Sequence, residues 1–378
     1  MKRLIALTLL TGLLCGCSSQ TALPATEPAA VPTESTITQT QPTTVTEPPA
    51  TVTEPTVTEP TQPEGISLTL TFTGDCTLGT NQEHTYPNSF HAYYDENGPD
   101  YFLSDVRHIF ETDDLTVVNL EGSLTNSTYL EDKQWNHKGP PEYVSILAGS
   151  SVEVATMGNN HRLDYGYEGF VETKQVLDEA GIGYCYDNRY LVREVKGIQV
   201  GFVSVNYIYD KDRVIPWLEE GYETLRKQGC DLVIACVHWG TGHSTELDAF
   251  QLDMGCRLID MGYDLVVGNH PHVLQAMRVY KGKFICYSLG NFCYGGSKNP
   301  ADKDSGIFQQ TFTFLDGQLQ PGVNARFIPC RISGIKSMND YCPVPVIDME
   351  FDRIIQKING YSAGFDFAWD EDGLYTTP

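Results

Sequence analysis

After its first 19 residues the chain has no apolar stretch long enough to cross a bilayer as a helix, so nothing beyond that point reads as a membrane span. It also has no Cys-x-x-Cys pair. Of its 11 cysteines, Cys15 and Cys17 belong to the N-terminal segment, and the others are scattered, several inside apolar runs such as those around Cys236 and Cys286. That spacing argues against a zinc ribbon and reads as small buried core residues. A disulfide between some pair stays open in an extracytoplasmic setting. Positive charge is scarce: 25 Lys and Arg stand against 49 Asp and Glu, a formal net charge of −24. A chain this acidic is not built to hold nucleic acid through its phosphates, although an acidic surface can gather cations.

What is present begins with Lys2 and Arg3, followed by an apolar run from Leu4 that ends in Leu14-Cys15-Gly16-Cys17-Ser18-Ser19. A basic start, a short apolar core and a small residue before a cysteine resemble a bacterial lipoprotein signal over residues 1–19, with Cys17 as the lipidated first residue after cleavage. An ordinary secretory signal is the competing reading. Residues 20–65 hold Thr, Pro, Glu and Ala, and Val-Thr-Glu-Pro recurs from Val45, Val52 and Val57. Such a segment cannot bury enough surface to offset its ordering entropy, and its prolines keep it extended. It reads as a disordered stalk holding a domain off the extracytoplasmic face of a bacterial cell membrane. The domain is expected over 66–345, with a C-terminal helix and tail over 346–378.

Within the domain, strand composition marks 68–72, 115–118, 152–157, 199–205, 232–237, 265–267, 283–287, 309–315 and 323–328. Helical spacing marks 101–110, 167–180, 217–228 and 248–261, with Gly181 and Gly262 placed to end two of them. Asp316-Gly317 reads as a hairpin turn. Strand–helix alternation followed by hairpins predicts an α/β (α+β) domain with mixed sheets.

The polar residues of interest follow the strands, where ligands of α/β sheets bind. Asp75 lies in Gly74-Asp75-Cys76-Thr77, Glu121 in Asn119-Leu120-Glu121-Gly122, and Asn160 and His161 in Gly158-Asn159-Asn160-His161-Arg162-Leu163-Asp164-Tyr165-Gly166. His238 opens His238-Trp239-Gly240. His270 and His272 flank Pro271 in Gly268-Asn269-His270-Pro271-His272-Val273-Leu274-Gln275, where an extended loop would turn both imidazoles to one side. Taken singly, each is more simply a turn, a cap or a packed histidine. Taken together, successive strands each end in a metal-capable residue. Two divalent cations roughly 3.5–4 Å apart need a bridging carboxylate and further ligands on each side. Asp75, Glu121, Asn160, His238, His270 and His272 supply such a set, and their mix of carboxylate, amide oxygen and imidazole suits Mn, Fe or Zn better than Ca or Mg.

These stretches, with Ser288-Leu289-Gly290-Asn291-Phe292, resemble in order the bacterial capsule-synthesis CapA proteins, also called poly-gamma-glutamate synthesis proteins, over about residues 68–310. The resemblance implies a calcineurin-like metallophosphoesterase fold, a four-layer α/β/β/α sandwich. By position, Asp75 and His272 resemble first-metal ligands, Glu121 the bridging carboxylate, and Asn160, His238 and His270 second-metal ligands. His161 resembles the general acid beside them. Asn119, Lys138 and Asn291 are candidate substrate contacts. The chain departs from the pattern at Thr77, where the family fold has His, at Glu121 in place of Asp, at Asn269 before the His-Pro-His, and at Thr241-Gly242-His243, which lacks the usual acidic residue. The function implied is capsule polymer biosynthesis or export at the cell surface, within a synthesis complex, through a hydrolase-like site holding one or two divalent ions. The alternatives are a metal-dependent binder of an anionic envelope polymer with little turnover, and an α/β lipoprotein whose histidines are structural.

Overall fold

The structure, a computed structural model, describes residues 65–80 and 86–377. The lipobox with Cys17 and most of the stalk lie outside the described residues. The described residues all fall within one compact unit. No helix among the described residues is long and apolar enough to cross a membrane.

Two mixed sheets make up the centre. The first runs Val344–Pro345, Val323–Arg331, Asp304–Leu315, Gly65–Thr77, Leu115–Leu120, Val154–Thr156, Gly183–Cys185, with Asn291–Tyr294, Gln318–Leu319 and Leu374–Thr377 joined off that path. The second runs Met277–Tyr280, Lys283–Cys286, Leu265–Asn269, Leu232–His238, Ile198–Asn206, Leu191–Val195. Alternation along the strands fixes the layers. Leu232, Ile234 and Cys236 share a cluster with Leu68, Leu70 and Phe72 of the other sheet, so these faces meet. Val233, Ala235 and Val237 point away, packing with Leu218, Leu225 and Leu258 of the helices Lys211–Lys227 and Ala249–Met261. Val118 and Leu120 pack outward with Phe170 and Leu177 of the helix Gly166–Glu179. The result is the α/β/β/α sandwich, held by apolar side chains worth about 1.5–3 kcal/mol each when fully buried. Nine cysteines in this region are free thiols, and all but Cys256 are buried.

The backbone differs from the expectations in a few places. Residues 101–110 are not one helix. A 3-10 turn at Pro99–Tyr101 leads through further turns to a short helix, Arg107–Phe110, although Phe102, Leu103, Val106 and Phe110 bury as a helix face would. The helix expected from Trp217 starts at Lys211 and carries Pro216 inside, which removes one backbone donor without ending it. The helix Asp348–Ser362 packs on the sandwich, and the strand Leu374–Thr377 pairs antiparallel with Val323–Arg331. Gly74 and Gly268 permit close backbone approach: a Cβ on either would lie 2.0 Å from the carbonyl oxygen of Gly290 or Tyr287.

Candidate metal centre

The donor residues meet at the carboxyl ends of the strands, between the two sheets. Strand parity delivers most of them. His238 continues the inward series Leu232, Ile234, Cys236, and Glu121 continues Leu115 and Val117. Asp75 does not follow from simple alternation. Leu68, Leu70 and Phe72 face inward, yet Cys76 and Leu78 pack in the outer cluster. Between Phe72 and Asp75 the pairing with Leu115–Leu120 slips by one residue, a bulge that exchanges the two faces. The bulge brings Asp75 to the inside.

Two groups of donors result, Asp75–Glu121–His272 and Glu121–His238–His270, whose ligand atoms lie within 4.8 Å of one another in each group. Glu121 belongs to both. Its Oε1 is 3.5 Å from His238 Nε2 and its Oε2 is 3.7 Å from His272 Nδ1. His272 Nδ1 is also 3.1 Å from Asp75 Oδ2 and 3.0 Å from Asn291 Oδ1. Asn160 joins the second group, its Oδ1 2.6 Å from His238 Nε2, while His270 Nδ1 is 3.2 Å from the same nitrogen. The two histidines around Pro271 do not reach the site from an extended loop. Both take positive φ, 99° at His270 and 59° at His272, and each serves a different group. Such backbone in non-glycine residues is strained and is concentrated at functional sites.

His161 stands beside this set without joining it. Its Nε2 is 3.9 Å from Glu121 Oε1, and its Nδ1 is 2.7 Å from Asp164 Oδ2. His161, His272 and Asn291 line an adjoining cleft of about 850 Å³, with Tyr86, Trp135 and Lys298 on its other walls. Asn119 is buried behind the donors: its amide donates to Asp75 Oδ1 at 2.8 Å and its oxygen accepts from Asn159 at 3.2 Å. Lys138 lies away from them, donating to the Ser127 carbonyl at 2.7 Å and sitting over the Tyr165 ring. His243 is exposed at the cleft, its ring 5.7 Å from that of His272. Three residues near His161 were not singled out from the sequence: Asp164, Lys133 and His137. Asp164 had a local signal, three residues after His161. Lys133 and His137 had none, because they arrive on a distant loop.

The electrostatics follow from burial around paired carboxylates. Burial holds His238 down to about 3, and burial together with the neighbouring His238 holds His270 down to about 2. Burial opposes charge on His272 as well, but Glu121 and Asp75 outweigh it and push that imidazole up to about 9. Burial raises Glu121 above the usual carboxylate range. Burial, then the Lys133 ammonium, holds His161 well below its ordinary value.

A divalent cation fits these residues. Both Glu121 oxygens are buried with no hydrogen-bond partner, and Asp75 Oδ2 has the His272 ring at 3.1 Å, so two buried carboxylates lean on one imidazole for charge, a costly arrangement. Thr77, one strand repeat beyond Asp75, is likewise buried with an unpartnered hydroxyl. An ion between the groups would complete the carboxylates, and first-row transition ions accept this mixture of oxygen and imidazole.

Fold and site together define a metallophosphatase-like α/β protein with two donor groups able to hold metal ions around one shared carboxylate. A family model described as "Bacterial capsule synthesis protein PGA_cap" matches residues 69–295, more than half of the chain. The chain belongs to that family. It is 28% identical over 338 residues to the PGA biosynthesis protein CapA of Bacillus subtilis (strain 168), covering 82% of each chain. It is 26% identical over 276 residues to the capsule biosynthesis protein CapA of Bacillus anthracis, covering 65% of this chain and 64% of that one. Among solved structures, a hypothetical protein from Thermus thermophilus aligns with 69% of this chain and 99% of its own, at 15% identity and a TM-score of 0.41.

Proposed function

We propose that the protein acts in the synthesis or export of a poly-gamma-glutamate-like capsule polymer through a metal-dependent hydrolase-like site, anchored by a lipid on Cys17 to the extracytoplasmic face of the cell membrane. Family membership and the names of the Bacillus relatives support the capsule role. The observation that carries the chemistry is the pair of donor groups meeting at Glu121, whose buried oxygens accept no hydrogen bond. Glu121, Asp75 and His272 would hold one ion, and Glu121, Asn160, His238 and His270 the other. Such ions supply Lewis acidity and an activated water at neutral pH. The chain's own residues then do the rest. Asp164 fixes the His161 ring with Nε2 toward the donors, where it can exchange a proton with the leaving group of a phosphoester or amide. Asn291 steadies His272 and faces the cleft beside it.

Elemental analysis of the full-length protein, followed by a phosphodiester and amide hydrolysis screen with added Mn, tests the reading. His161→Ala should keep its metal and lose about 10²–10⁴-fold in rate. Loss of metal in that variant would make His161 a ligand. A metal-loaded wild type without turnover on any phosphoester or amide would leave polymer binding as the function. Cys17→Ser should release the protein from the membrane fraction, and a variant still carrying lipid would remove the anchor.

A further inference from the structure

The loop 125–137, between the short paired strands Ser123–Leu124 and Lys138–Gly139, has an exposed surface. Tyr129, Leu130 and Trp135 are 54%, 52% and 48% accessible. Its inner side is tied to one carboxylate. Asp164 Oδ2 accepts from the His137 backbone N–H at 2.7 Å and faces His161 Nδ1 at 2.7 Å, while Oδ1 forms an ion pair with Lys133. The Lys133 ammonium also donates to the Asn160 carbonyl at 2.8 Å and lies 3.4 Å from His161 Nδ1. An ammonium only donates and an ionised carboxylate only accepts, so the His161 Nδ1 against Asp164 carries the proton. Lys133 and His161 therefore share Asp164 as two donors around one acceptor, and His161 Nε2 is left facing Glu121. The His137 ring packs against the His161 ring at 4.2 Å between centroids. The loop is fixed at its other end by Ser127, which donates to the Tyr165 carbonyl at 3.1 Å and accepts from Lys138 at 2.7 Å.

From this geometry we infer that Lys133 is a positioning residue for His161: it clamps Asp164 and the Asn160 carbonyl at once, and so makes the 125–137 loop part of the proton-transfer apparatus. The inference rests on the hydrolase-like reading for its consequence in rate, but its geometry stands apart from turnover. Lys133 touches no donor side chain of the metal groups, so its removal should leave the ions in place. Loss of an outer-shell partner of a metal ligand typically costs about 10–100-fold, and a loss of the same order is expected for the group that holds His161 from behind.

The test uses the full-length, metal-loaded protein with Lys133→Ala, Lys133→Met and Lys133→Arg. Two measurements run together: nitrogen-15 NMR of the histidine rings, which reports the Nδ1 proton of His161, assigned with His161→Ala, and steady-state kinetics on whichever ester or amide the wild type cleaves. The expected result is a His161 Nδ1 signal shifted or broadened in the alanine and methionine variants. It should be accompanied by a fall in kcat of about 10–100-fold, unchanged KM and metal content, and partial recovery with arginine. An unchanged His161 signal in both alanine and methionine variants would overturn the inference. So would loss of metal in them, which would place Lys133 behind Asn160 as a metal-site support. If the wild type turns over no substrate, the hydrolase-like reading fails by itself and the NMR result alone decides the role of Lys133.

Discussion

The two donor groups share Glu121 but present different chemistry to an ion. Asp75–Glu121–His272 offers two carboxylates and one imidazole, and that imidazole is held protonated by the carboxylates, up to about 9. Glu121–His238–His270 offers one carboxylate and two imidazoles, with the Asn160 amide oxygen beside them, and both imidazoles are held neutral, at about 3 and about 2. Without an ion, His272 supplies the positive charge that balances the first group. The second group has no such cation and is already in its ligating state. A first-row transition ion should therefore fill the nitrogen-rich group first, with the carboxylate-rich group following against a proton.

The largest effect should come from removing what the groups share. Glu121→Ala takes a ligand from both and should abolish binding of both ions. His238→Ala should lose the nitrogen-rich site and keep residual binding at the other. Elemental analysis after dialysis measures both, and equal metal content in wild type and Glu121→Ala would dissolve the bridge. Next in size is a dependence on pH. Below its folded pKa, His272 must release a proton to become a ligand. Affinity at the carboxylate-rich group should rise about tenfold per unit from about pH 7 to about 9 and flatten above, while the nitrogen-rich group changes little. Stepwise calorimetric titration at several pH values separates them, and parallel profiles would contradict the difference in protonation.

A smaller effect should follow from Thr77→His, which places an imidazole one strand repeat beyond Asp75 where a buried hydroxyl now has no partner. It should narrow the gap between the two affinities while lowering stability by about 1–3 kcal/mol through overpacking. Unchanged binding would mean position 77 does not face the ion. The smallest effect on metal, none, is expected at Asp304, which joins Arg353 and Lys357 of the C-terminal helix to the sheet at 2.6–2.8 Å. Burial works against its charge, yet the two cations hold Asp304 below its usual range. Its contribution is therefore present above about pH 4 and is lost as pH falls through the folded value. Asp304→Asn should lower the melting temperature at neutral pH with metal content intact, and the gap from wild type should close in acid.

Much of this site was legible in the sequence because its residues sit at strand ends. The runs before Glu121, His238 and His270 alternate or bury cleanly, and each is followed at once by its donor. The hairpin at Asp316-Gly317 was equally plain, with both residues at positive φ, 50° and 73°. Phe102, Leu103, Val106 and Phe110 have helical spacing, yet the chain there is a run of turns ending in a short helix. Spacing reports which side chains are buried, and a chain of turns can bury the same set.

The sandwich was what the family resemblance implied; what the sequence determined alone was a list of donors, their order along the chain, and an α/β domain with mixed sheets. Those follow from local physics: strand periodicity, the geometry of turns, and the chemistry of the side chains. Which candidate donors come together could be decided only by the tertiary structure. Asp75 turns inward because a one-residue bulge, set by pairing with Leu115–Leu120, exchanges the faces of its strand. His270 and His272 separate into two groups because the fold holds both at positive φ around Pro271. Lys133 and Asp164, far apart in the chain, meet because a loop with no local signal crosses the start of the helix Gly166–Glu179. Each of these depends on a distant partner, and no pattern within a short window contains that partner.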